Sequence, residues 1–128
     1  MDKFAILSSG SSGNCLFLEY KGSKILVDAG FSGKRIESLL NEIGKSASDL
    51  DGIFITHEHA DHAKGAGTLS RRYNLPIYAN GGTWKGLEKS CGKIKDENIR
   101  IFESDKFLSF GSMDILPIKV HHDAKEPV

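Results

Sequence analysis

The sequence predicts one α/β domain over residues 1–128, with strands and helices interleaved along the chain. Two observations carry that reading. Short apolar and aromatic runs bounded by turn residues recur throughout, and between them lie segments whose apolar residues fall on one helical face. A chain of 128 residues, 39% of them hydrophobic, is long enough to bury a core of its own.

Residues 4–7 and 15–20 have the character of pleated, partly buried strands. Lys21-Gly22 is a hairpin connection into a third strand at 24–28. The Ser/Gly-rich stretch 8–14 separates the first two strands. Flanked so closely by strands, it reads as a loop packed near a functional surface rather than a flexible linker. Ile36, Leu39, Leu40 and Ile43 share one face of a helix over 32–43, with Ser32 as N-cap and Gly44 as the stop. Residues 52–56 form a continuous apolar run, typical of a strand covered on both faces. A second helix is predicted over 64–73, weakened by Gly65 and Gly67, followed by a strand at 76–79. Thr83 is the expected cap of a third helix that places Trp84, Leu87 and Cys91 on one side and ends at Gly92. The last third, at 98–102, 107–110 and 113–120, returns to strands.

Lys plus Arg equals Asp plus Glu at 17 each. Overall charge therefore does not advertise nucleic-acid binding, whose affinity comes mainly from basic side chains. Lys85, Lys89, Lys93 and Lys95 could form a local basic patch, but a solvated helix face and loop is the simpler reading. Cys15 and Cys91 have no CxxC spacing, which argues against a disulfide framework and points to a reducing cytoplasm. Cys15 reads as a small core residue. No apolar stretch approaches the roughly 20 residues a membrane helix needs, and the N-terminus lacks a signal-peptide core.

The chemistry lies in Thr56-His57-Glu58-His59-Ala60-Asp61-His62. His57 and His59 are two apart, so in an extended segment leaving a strand they point to the same side. Asp61 and His62 follow where the chain turns into a helix, which lets them face a second point nearby. Imidazole and carboxylate suit zinc, manganese or iron, and a mixed set with open positions marks a catalytic site. Four such groups after an apolar strand are costly to desolvate unless something binds them. Asp28 ends a buried strand, where its carboxylate can hold a ligating histidine in place. His121-His122-Asp123 ends the last strand and brings another imidazole.

The order Asp28, then His57-x-His59-x-Asp61-His62, then His122 resembles the metallo-β-lactamase superfamily. The stretches Ser9-Gly10-Ser11-Ser12-Gly13-Asn14 and His122-Asp123-Ala124-Lys125-Glu126-Pro127-Val128 resemble its YycJ (WalJ)-like branch, whose members are similar to metal-dependent DNA exonucleases. The resemblance covers nearly the whole chain as the N-terminal half of such a protein. It implies half of an αββα sandwich, with a mixed, mostly antiparallel sheet and helices on one face. It assigns His57, His59 and His122 to one metal, Asp61 and His62 to a second, and Asp28 to orienting the cluster. His122 is taken over His121 because His-Asp-Ala follows it in the family; His121 sits where the family often has a small residue. The family's second half supplies a bridging Asp and a final His. With Val128 as the last residue, the expectation is a fragment or a natural truncation, its second metal site incomplete and its sandwich half open.

The function this implies is phosphodiester hydrolysis, exonuclease-like on DNA, by a water activated by two divalent ions, with zinc or manganese expected and iron compatible. Asp61 is the expected catalytic residue, fixing that water as well as binding metal. Nucleic acid is the expected partner and the cytoplasm the expected location. The loop at 8–14 either offers backbone N–H groups to a phosphate or is a simple turn. Two rivals stand beside this reading. One is thioester or lactam hydrolysis on the same scaffold, since fold does not fix substrate. The other is an inactive metal-binding half-domain that self-associates through an exposed sheet face.

Overall fold

The structure, a computed structural model, describes residues 3–8, 13–57 and 59–118. Strands β1 (Lys3–Ser8), β2 (Cys15–Tyr20) and β3 (Ser23–Val27) lead to helix α1 (Gly33–Glu42) and strand β4 (Gly52–Phe54). Helices α2 (Ala60–Ala63) and α3 (Ala66–Tyr73) follow, then β5 (Ile77–Asn80), α4 (Gly81–Ser90) and β6 (Ile99–Phe102). A hairpin of β7 (Leu108–Phe110) and β8 (Met113–Ile115) ends the described chain.

The first six strands form one sheet in the order β1-β2-β3-β4-β5-β6. The sheet is mixed, as expected, but antiparallel pairing does not dominate. Within it β1–β2 and β2–β3 are antiparallel, whereas β3–β4, β4–β5 and β5–β6 are parallel; the β7–β8 hairpin is a separate antiparallel pair. Parallel neighbours cannot be joined by a tight turn and need a crossover, usually helical. The three helical segments of the sequence fall in those three gaps.

All three longer helices lie on one face, as the resemblance implied. Ile36 and Leu40 of α1, Leu69 of α3, and Trp84 and Leu87 of α4 join Phe17, Leu26, Ile53, Ile77 and Ala79 of the sheet in one buried cluster. The alternate strand residues Ile25, Phe54 and Tyr78 point the other way and meet Phe102, Phe110 and Met113. Phe54 and Tyr78 stack there with ring centroids 4.6 Å apart. This second face is less covered: a groove of about 390 Å³ runs over it, lined by Leu18, Ile25, Val27, Phe102, Ile115 and Pro117.

Several element boundaries differ from the sequence reading. The tight turn forms as predicted, with Lys21 and Gly22 both at positive φ, and Ser32 caps α1 through the Arg35 N–H. Ile43, expected on the apolar face, falls at the C-cap and is 40% exposed. The helix expected over 64–73 forms as α3 but starts two residues later, at Ala66, with the separate short α2 ahead of it. Gly65 is the reason: its N–H donates to the Ala29 carbonyl at 2.7 Å, and a Cβ there would lie 2.2 Å from the Phe31 carbonyl oxygen. The Lys64-Gly65 turn thus packs backbone against backbone on the segment after β3. Helix α4 starts earlier than expected because Asn80, not Thr83, caps it, its Oδ1 accepting from the Thr83 N–H at 2.8 Å. Residues 119 and 120, expected to extend the last strand, lie outside the described residues.

Both cysteines are buried thiols. Burial, aided by the nearby Asp28 carboxylate, pushes the Cys15 thiol up to about 12, and burial also raises Cys91. The thiolate is the reactive form, so neither cysteine of the native chain is expected to react with a thiol reagent at pH 8. Both should react at once in denaturant, and mass spectrometry of timed labelling checks this. The sign of the linkage is set by Cys15 keeping its proton longer when folded: its contribution to stability is full below about 9 and is lost as pH rises toward about 12.

Candidate metal centre

The centre sits where two parallel strands end side by side. Strands β3 and β4 pair in register, with Val27 opposite Phe54, so Asp28 and the segment after Phe54 emerge at the same edge of the sheet. Asp28 has φ +66, a left-handed turn that Asp and Asn tolerate better than other side chains. That turn holds the carboxylate at the strand end, where it is buried. Its Oδ1 accepts from the Thr56 N–H at 2.8 Å, and the Thr56 hydroxyl donates to it, 2.8 Å from Oδ2. Its Oδ2 also stands 2.6 Å from His62 Nδ1.

The backbone locks the same geometry. Ala29 N–H donates to the His62 carbonyl at 2.7 Å, and His62 N–H donates to the His59 carbonyl at 2.9 Å. Helix α2, which carries His62, is thereby tied to the end of β3, and the Gly65 N–H ties the turn after α2 to the same residue, Ala29. The result gathers three imidazoles. The His57 and His59 ring centroids are 5.1 Å apart, and those of His57 and His62 are 3.6 Å apart.

Of the residues singled out in the sequence, the structure therefore brings together Asp28, His57, His59 and His62. The backbone of Asp61 lies in α2. Its side chain, like Glu58, His121, His122 and residues 9–12 of the Ser/Gly loop, lies outside what is described. Among the described residues no group of three or more His, Cys, Asp or Glu is arranged to hold an ion. Lys85, Lys89, Lys93 and Lys95 are exposed on α4 and the loop after it, as a solvated face requires.

Two residues of the centre escaped the sequence reading. Thr56 links Asp28 to His57, its Oγ1 lying 3.0 Å from His57 Nδ1. Asn14, at the end of the Ser/Gly loop, places Nδ2 3.2 Å from His62 Nε2, and its carbonyl accepts from the Gly30 N–H. The signal for Thr56 was its place directly before the first histidine. Asn14 belongs to the Ser/Gly stretch already singled out, but nothing local pointed to its partner, His62, 48 residues away.

The donor chemistry fits a divalent ion. An imidazole whose Nδ1 is held by a carboxylate or a hydroxyl keeps Nε2 as the ligand nitrogen, which is how ligating histidines are usually oriented. His62 is held in this way by Asp28 and His57 by Thr56.

A strand-ended cluster of this kind, on a mixed sheet with helices on one face, is the arrangement of a known superfamily. The profile of the metallo-beta-lactamase superfamily matches residues 9–119, and the chain belongs to that superfamily. Exodeoxyribonuclease WalJ of Streptococcus pneumoniae is 50% identical over 127 residues, which cover 98% of this chain and 47% of that protein. Exodeoxyribonuclease YycJ of Bacillus anthracis is 43% identical over 125 residues, again 98% of this chain and 47% of the relative. The chain thus spans about half the length of the curated relatives it matches, as the resemblance to one half implied. Among solved structures, BJP-1, a subclass B3 metallo-beta-lactamase of Bradyrhizobium japonicum, superposes with a TM-score of 0.79 at 17% identity, over 98% of this chain and 52% of that one. The di-zinc metallo-beta-lactamase LRA-12 from an Alaskan soil metagenome gives 0.74 at 15% identity, over 91% and 50%. At those identities the likeness speaks for the fold alone.

Proposed function

We propose that the protein containing this chain is a metal-dependent hydrolase that cleaves phosphodiesters of DNA as an exonuclease. The observation that carries this reading is the convergence of His57, His59 and His62 at the edge where Asp28 and Thr56 orient two of them. The similarity to two proteins named exodeoxyribonucleases supports the substrate class. In this reading His57, His59 and His122 hold one ion and Asp61 and His62 a second, zinc or manganese, with iron also compatible. Such ions supply Lewis acidity and lower the pKa of a bound water. The chain's own part is to present neutral imidazole nitrogens, with Asp28 accepting from His62 Nδ1, and to fix the attacking water through the Asp61 carboxylate. Two buried, unpaired thiols among the described residues suit the cytoplasm as the place of action.

Hydroxyacylglutathione hydrolase 1 of Vibrio vulnificus, 35% identical over 78 residues, favours a second reading in which a thioester is the substrate. The two are separated by incubating the full-length protein, loaded with zinc or with manganese, with end-labelled linear DNA, a glutathione thioester and a chromogenic lactam. Shortening of DNA from its ends, abolished by a chelator, is the expected result. Hydrolysis of the thioester or the lactam with DNA untouched would replace the nuclease reading. A non-catalytic half-domain would instead pair through the apolar groove of the second sheet face, and light scattering of a monomer at high concentration rules that out.

A further inference from the structure

We infer that Thr56 is a positioning residue that extends the reach of Asp28 to a second histidine, so that one buried carboxylate sets the ligand nitrogen of both His57 and His62. This rests on the metal-site reading above and deepens it.

A threonine hydroxyl has one proton to give. Thr56 Oγ1 lies 3.0 Å and 2.8 Å from the two oxygens of Asp28. A carboxylate only accepts, so that proton goes to Asp28. Toward His57 the same oxygen can present only a lone pair, and it lies 3.0 Å from His57 Nδ1. Nδ1 must then carry a proton, and in the neutral ring Nε2 is left with the lone pair that binds a metal. The Thr56 N–H, also on Asp28 Oδ1, prevents the hydroxyl from drifting by holding the residue's backbone to the same carboxylate. His62 receives the same instruction directly, its Nδ1 being 2.6 Å from Asp28 Oδ2. The resemblance assigns those two histidines to different ions. A shared carboxylate would therefore make the two sites cooperative in their orientation, with Thr56 as the arm that reaches the first.

The test uses Thr56→Val, which keeps the shape and removes the hydroxyl, and Thr56→Ser, which keeps the hydroxyl. Ring nitrogen NMR shifts of the metal-free, full-length protein report the tautomer of each histidine, and zinc affinity is measured by competition with a chromogenic chelator. Thr56→Val is expected to mix the His57 tautomers, to leave His62 as an Nδ1–H imidazole, and to weaken zinc binding by about 10–100-fold. Thr56→Ser is expected to restore both readouts. An unchanged His57 tautomer in Thr56→Val, or a failure of Thr56→Ser to restore it, overturns the assignment. Should Thr56→Val not fold, Thr56→Ala and Thr56→Ser are compared by the same ring shifts. The tautomer is read without metal, so a wild type that binds no zinc would sink the hydrolase reading while the role of Thr56 is still decided.

Discussion

Asp28→Ala is expected to lower stability by about 3 kcal/mol or more and to abolish metal retention. Three donors lose their acceptor at once: the Thr56 N–H, the Thr56 hydroxyl and His62 Nδ1. Each lost partner of a buried group costs about 1–3 kcal/mol, less than additively because all three share one site. Alanine at φ +66 adds about 1 kcal/mol of backbone strain. Asp28→Asn separates the two contributions, since Asn tolerates the left-handed turn and keeps one acceptor for the Thr56 N–H. Its amide nitrogen, however, presents a donor where His62 Nδ1 or the Thr56 hydroxyl also donates. The expected order of urea midpoints is wild type, then Asn, then Ala, at constant m, with metal lost in both variants. An asparagine variant that matches wild type in midpoint and metal content would show that Asp28 is a turn residue only.

The other large effect is on activity. Asp61→Ala in the full-length protein, loaded with metal, is expected to cut DNA hydrolysis by about 10³-fold or more. The cooperative unfolding transition is expected to persist. The reason is chemical: Asp61 is assigned both a metal and the attacking water, so its loss removes charge stabilisation and alignment together. The measurement is initial rates on end-labelled DNA beside a thermal unfolding curve of the same preparation. Wild-type rates in the variant would remove Asp61 from the mechanism. Loss of rate together with loss of the unfolding transition would instead mark a structural role.

The order of elements was legible because apolar periodicity and turn residues are local. Ser32 and the Lys21-Gly22 turn act within a few residues, and both behave as read. The failures came where a distant backbone decides the outcome. Helix α3 starts at Ala66 rather than Lys64 because the Phe31 carbonyl and Ala29 lie against Gly65, and nothing near Gly65 in the sequence announces those two partners. The balance of parallel and antiparallel pairs was misjudged for a similar reason: strand direction depends on how crossovers pack, not on strand composition. At the candidate centre the histidines were visible as a dense local motif. Asp28 was visible as a carboxylate ending an apolar run. Thr56 was missed because hydroxyls before a histidine are common, and only the position of Asp28 across the sheet gives this one a task. Asn14 was hidden inside a stretch whose composition resembles a linker.

The parallel pairing of β3 with β4 also fixes when the centre comes into being. Asp28 meets Thr56 and His62 across 28 and 34 residues of chain, and no hairpin can bring parallel neighbours together. The crossover through α1 has to close first, at the loop-closure cost of a contact between distant residues. Before that step, residues 57–62 already hold three imidazoles in six positions, a chelating peptide with its nitrogens unsorted. An ion captured then binds the unfolded chain and slows its escape to the native topology. Order of addition therefore matters for this fold: the chain first, the metal second.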